Sequence, residues 1–111
     1  MSGAIVRNFG ITIDVNDLEL EAAFWRALIG EEPGPIRSGG GWLTVGDLGD
    51  GAMLVLQKVP EPKTVKDRIH LDFRVEDVNE AIARITALGG SQISEPRVGG
   101  GVTIADPEGN E

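Results

Sequence analysis

Slid along itself by 60 positions, the sequence lays residues 10–51 over residues 70–111 without a gap. Eleven of those 42 positions are identical: Val15/Val75, Asp17/Asp77, Ala23/Ala83, Ala27/Ala87, Leu28/Leu88, Gly30/Gly90, Arg37/Arg97, Gly39-Gly40-Gly41 over Gly99-Gly100-Gly101, and Gly49/Gly109. No residue type is frequent enough to give that many matches in register by chance, so the chain is two copies of one unit. Such a period constrains the fold more than any local pattern, since the second copy is expected to repeat what the first one forms. Each copy alone is too small to cover a sheet, and the two must share a core or pair with another chain.

The unit reads as strand, helix, strand, strand, strand. In Gly10–Val15, Ile11, Ile13 and Val15 share one face while Gly10, Thr12 and Asp14 share the other. A helix should follow: Asn16 and Asp17 offer a capping oxygen, Glu19 and Glu21 suit the positive end of the helix dipole, and Leu18, Ala22, Trp25 and Ile29 recur at helical steps. Gly30 closes it, and Pro33 and Pro35 hold the next stretch extended. Trp42–Val45 and Met53–Lys58 read as strands joined by the Asp47–Gly51 turn, with Pro60–Lys63 as a polar connector. In the second copy Asp77 and Glu80 form a capping-box pair, and Val78, Ala81, Ile82, Ile85 and Leu88 form the buried stripe. By the same offset the last strand of the second copy would run to about residue 119, past Glu111. That strand is expected to be disordered, lost, or supplied by a partner, because an open sheet edge is normally covered.

With 111 residues the chain is one domain, 1–111, its first module covering about 8–59 and its second about 68–111. A net charge of −8 argues against a phosphate-backbone partner. The acidity serves solubility, or draws a cationic small molecule. There is no cysteine, which excludes disulfides, thiolate metal ligands and a cysteine nucleophile. No charged-then-apolar leader opens the chain and no apolar run approaches roughly 18 residues, so a soluble cytoplasmic protein without membrane partners is expected.

Arg68–Asp77 holds the single histidine and alternates strictly. As a strand it would set Leu71, Phe73 and Val75 against a core and His70, Asp72 and Arg74 toward water or a ligand cavity.

A repeated βαβββ unit, Val-x-Asp before each helix, a histidine seven residues before the second such Asp, and the closing Asp106-Pro-Glu-Gly-Asn110 turn together resemble the vicinal oxygen chelate superfamily. Asp67-Arg-Ile-His-Leu-Asp72 is similar to its glyoxalase-like subgroup. The resemblance implies an α+β fold in which two tandem modules form a curved mixed sheet around a cleft, here with the last strand incomplete. It also implies a homodimer and, in many members, a divalent metal held by four inward side chains. His70 stands at the position of the second-unit histidine ligand, but its first-unit counterpart is Gly10, which has no donor. The first-unit carboxylate position falls on Val55, or on Gln57 if the register slips by two.

Metal binding by His70 needs further donors, and Asp72 and Asp14 are the only inward acids nearby. Against it stands a plain histidine hydrogen-bonded to Asp72 or a neighbouring strand. General acid or base work suits the imidazole, with Asp72 fixing its tautomer and Arg74 binding an anionic group. No serine lies in a Gly-x-Ser-x-Gly elbow. The triple glycines lack the Lys-Ser/Thr of a phosphate loop and recur in both units, so they read as tight turns. Trp25 is core; Trp42 either stacks on a flat ligand or packs.

Two functional classes stay open. One is a non-catalytic binder of a small organic ligand, like the bleomycin-resistance relatives, lined by Thr12, Asp14, Trp42, Val55, Gln57, Asp72 and Arg74. The other is a metal-dependent lyase, isomerase or dioxygenase of the same superfamily, with His70 as ligand or catalytic group. The binder is favoured, because Gly10 and Val55 forfeit two donors. A partner-binding module is a third class and would show an exposed apolar patch.

Overall fold

The structure, a computed structural model, describes residues 10–32, 41–48, 52–98 and 101–111. They fall into two compact units, one ending at Pro60 and the other spanning Glu61–Glu111. The fold is mixed α+β, and among the described residues no helix is long and apolar enough to cross a membrane.

The first unit holds strand β1 (Gly10–Val15), helix α1 (Leu18–Ile29), strand β2 (Trp42–Asp47) and strand β3 (Met53–Lys58). Their order in the sheet is β1-β3-β2, with β3 parallel to β1 and antiparallel to β2. Parallel neighbours need a long crossover, and α1 with β2 supplies it. The Asp17 carboxylate accepts from the Leu20 N–H at 3.0 Å and so starts the helix. Gly30, at φ 79°, ends it in the left-handed region, where a side chain is costly.

Alternation then decides which side is buried. Helix α1 packs on β2 and β3, and Val15, Leu43, Val45, Leu54 and Leu56 are buried together with Ala22, Phe24 and Trp25. Leu54 and Leu56 are 0% exposed, and Phe24 meets Trp25 edge-on, with ring centroids 5.5 Å apart. The buried stripe of α1 is centred differently from the expectation: Phe24 is fully inside, while Leu18 and Ile29 are only half-buried. Beyond the strand ends, the Val59 N–H donates to Val15 O at 2.8 Å and Asn16 Nδ2 donates to Val59 O at 2.9 Å. The Leu48 N–H donates to Ala52 O at 2.7 Å, closing the turn between β2 and β3. Pro33, Pro35 and the extended stretch expected around them lie outside the described residues.

The second unit holds helix α2 (Val78–Ala87) and the short antiparallel strands β4 (Ser91–Gln92) and β5 (Ile104–Ala105). Asp77 caps α2 by accepting from the Glu80 N–H at 3.0 Å. Ser94 Oγ accepts from the Thr103 N–H at 2.8 Å, and Arg97 Nη1 donates to Thr103 Oγ1 at 3.1 Å, carrying the β4–β5 pairing further along the hairpin. In the Asp106 turn the carboxylate accepts from the Glu108 and Asn110 N–H groups and from Asn110 Nδ2.

Here the two copies differ. Residues 70–75 are not a strand, and Phe73 and Val75, expected in a core, are 43% and 49% exposed. Of the stripe expected on α2 only Ile85 is buried, while Val78 and Leu88 are exposed. The physical reason lies in the pairing. Strand β1 exists because β3 hydrogen-bonds along its whole length, from Gly10↔Met53 to Val15↔Lys58. Among the described residues no strand is paired with residues 70–75 as β3 is paired with β1, and alternation without such a ladder does not make a strand.

Candidate functional site

The strand register assembles the site in the first unit. Asp14 is paired with Gln57 and Gln57 with Trp42; one step along, Thr12 is paired with Val55 and Val55 with Thr44. Paired residues point the same way, and these six lie opposite the face that buries Leu43, Leu54 and Leu56. With strands about 4.8 Å apart, Asp14 and Trp42 sit roughly 10 Å from each other across the row, with Gln57 between them. Thr12, Asp14, Trp42 and Thr44 are exposed, and Val55 and Gln57 half-buried.

This surface is a shallow platform with a carboxylate at one side, an indole at the other, an amide in the middle and two hydroxyls below. An indole face attracts flat and cationic groups, a carboxylate pairs with a cation, and the amide and hydroxyls orient whatever lies across them. Five of the expected ligand-binding residues, Thr12, Asp14, Trp42, Val55 and Gln57, are therefore brought together. Thr44 was not anticipated, although its place two residues after Trp42 in an alternating strand marks it.

His70, Asp72 and Arg74 belong to the second unit, in the stretch without regular structure, and all three are exposed. The partner of His70 is not Asp72: its Nε2 lies 3.2 Å from Lys66 Nζ. The expected His70–Asp72 bond presupposed a strand. Without one, the i−4 neighbour reaches the ring first. A lysine ammonium has only donors, so Nε2 is the acceptor in this contact.

Just before this stretch, Glu111 ties the unit together. Its carboxylate accepts from the Asp67 N–H at 2.5 Å and from Lys63 Nζ at 3.2 Å, and Lys63 also lies 3.8 Å from Asp67. The Asp67 N–H above all, and then the Lys63 charge, hold the Glu111 carboxyl below its ordinary 4.5, with partial burial opposing them.

The resemblance implies a divalent metal held by inward side chains. Among the described residues no three His, Cys, Asp or Glu side chains gather at one point. Gly10 offers no donor, Val55 offers only methyl groups, and the His70 ring faces a cation.

A small α+β chain with a βαββ sheet unit and a polar, aromatic-edged face is of the glyoxalase type. The chain belongs to the glyoxalase-like domain family, whose sequence pattern matches residues 10–111. Among solved structures it is similar to a glyoxalase-related enzyme from Fulvimarina pelagi, with 22% identity over 94% of this chain and 83% of that one and a TM-score of 0.65. A glyoxalase/bleomycin resistance protein from Albidiferax ferrireducens gives 22% identity, 95% and 94% coverage and a TM-score of 0.65. An integron cassette protein from the mobile metagenome of the Halifax Harbour sewage outfall gives 26% identity, 95% and 94% coverage and a TM-score of 0.63. No sequence among curated proteins matches the chain.

Proposed function

We propose that this glyoxalase-like chain binds a small organic ligand without catalysing its conversion, and that it does so without the superfamily's metal set. The observation that carries this is the row Asp14–Gln57–Trp42, in which register alone places an acid, an amide and an aromatic side by side. A cationic ligand with a flat group suits it: the flat part stacks on Trp42 and the positive charge turns toward Asp14. The net charge of −8 favours approach of a cation. Two positions that would carry metal donors hold Gly10 and Val55, so lyase, isomerase or dioxygenase chemistry that depends on such a metal has no support from this side of the fold.

Under the same proposal the tandem modules form a single duplicated domain that works as a cytoplasmic homodimer, and His70, Asp72 and Arg74 are the second module's own ligand-binding residues. A thermal-shift series tests the function. Cationic aromatic drugs should raise the melting temperature, with the rise lost in Trp42→Ala and unchanged by chelator. A rise produced instead by zinc, nickel or manganese and lost in His70→Ala would replace the binder with the metal-dependent class.

A further inference from the structure

Strand β2 does not alternate to its end. Trp42 lies opposite Gln57 and Thr44 opposite Val55, but a β-bulge then shifts the register, so that Gly46 lies opposite Leu54 and Asp47 opposite Met53. Without the extra residue Gly46 would stand beside Met53, and Asp47 would turn toward the helix. With it, position 46 looks to the helix side, where a Cβ built on Gly46 would come within 2.7 Å of Glu31 Cγ, just past the end of α1. Asp47 therefore looks the other way, and both it and Met53 are exposed. Re-aiming a side chain is what bulges beside functional sites commonly do.

We propose that Asp47 is a second cation-binding residue of the same face, and that the ligand is a dication whose charges sit at opposite corners of it. The inference rests on the reading of that face as a ligand platform and narrows the class of ligand. Met53 is paired with Gly10 on its other side, so Gly10–Met53–Asp47 forms a third row beyond Thr12–Val55–Thr44. From Gln57 to Met53 the strand runs roughly 13 Å, and two strand spacings add about 10 Å across, which puts Asp14 and Asp47 roughly 16 Å apart on the diagonal. Val55 lies at the middle of that diagonal with Met53 beside it, and their methyl and thioether groups suit a hydrocarbon linker. Gly10, exposed and without a side chain, leaves its own corner open. A carboxylate has about four acceptor sites, so Asp47 can take a ligand cation alongside its other partners. Once one charge is held at Asp14, the second meets Asp47 within the same molecule, which raises affinity only if the linker spans the two corners.

The test compares three probes by calorimetric titration of the full chain in the presence of chelator. They are benzamidine, two benzamidine units on a chain long enough to set the charges about 16 Å apart, and a short-linked pair that cannot reach both corners. The long pair should bind about tenfold or more tighter than benzamidine, and the short pair no more than about threefold tighter. Asp47→Asn should bring the advantage of the long pair down to that of the short one, and Asp47→Glu, which keeps the charge, should restore most of it. A long pair with no advantage over the short one, or an advantage that Asp47→Asn leaves intact, overturns the proposal while benzamidine binding keeps the platform reading in place. Failure of all three probes to bind removes the platform reading and this proposal with it.

Discussion

Asp17 and Asp77, 60 residues apart, make the same bond: each side-chain oxygen accepts the backbone N–H three residues on, at 3.0 Å. The same bond stands at the head of both helices, and it has a measurable consequence. Replacing either residue with alanine removes a helix cap and should cost about 1 kcal/mol. Urea unfolding followed by circular dichroism checks this; Asp17→Asn, which keeps an acceptor, should lose little.

The strength of the first unit sits in β3. Leu56 is 0% exposed and lies opposite Leu43 in the sheet. Leu56→Ala should therefore destabilise by about 2–5 kcal/mol, the range for deleting a buried leucine side chain. Val75→Ala, at 49% exposure, should change stability by less than about 0.5 kcal/mol. The contrast, read by denaturant midpoint, separates a packed strand from an exposed segment.

Glu111 supplies the pH dependence. Its carboxyl titrates below the ordinary 4.5 because the Asp67 N–H and the Lys63 ammonium favour the charged form. The stabilisation it brings is complete above 4.5 and is lost as pH falls through the lower folded value. An NMR titration of the Asp67 amide should show an inflection below 4.5, and Glu111→Gln should abolish it.

Trp42 is 53% exposed, so its loss should be felt in binding rather than in folding. Trp42→Ala should reduce affinity for a cationic aromatic ligand by about tenfold or more, in line with losing a stacking and cation–π partner. The melting temperature of the ligand-free variant should stay near that of the parent. Asp14→Asn should weaken binding in a salt-dependent way, since the charge and not the shape is removed.

Much of the first unit was legible in the sequence. Gly10–Val15 and Met53–Lys58 are strands over the ranges that alternation marks out, and Trp42–Val45 grows by two residues to Asp47. Residues 68–77 alternate just as clearly and yet form no strand. Alternation tells which side chains would share a face; it does not supply the neighbour whose backbone completes the ladder. The same gap explains the site. That Thr12, Asp14, Val55 and Gln57 face one way follows from period two, but that Asp14 and Trp42 flank Gln57 requires the order β1-β3-β2, which is a tertiary fact. His70 was expected to meet Asp72, two residues along a strand, or a neighbouring strand; in a segment without strand geometry Lys66 is the residue within reach.

The most direct test is to map where a cationic aromatic ligand perturbs the backbone and side-chain NMR spectrum of the full chain in the presence of chelator. Shifts gathered on Thr12, Asp14, Thr44, Gln57 and the Trp42 indole are the predicted result. Shifts centred on His70, or binding that disappears when metal is removed, would contradict it.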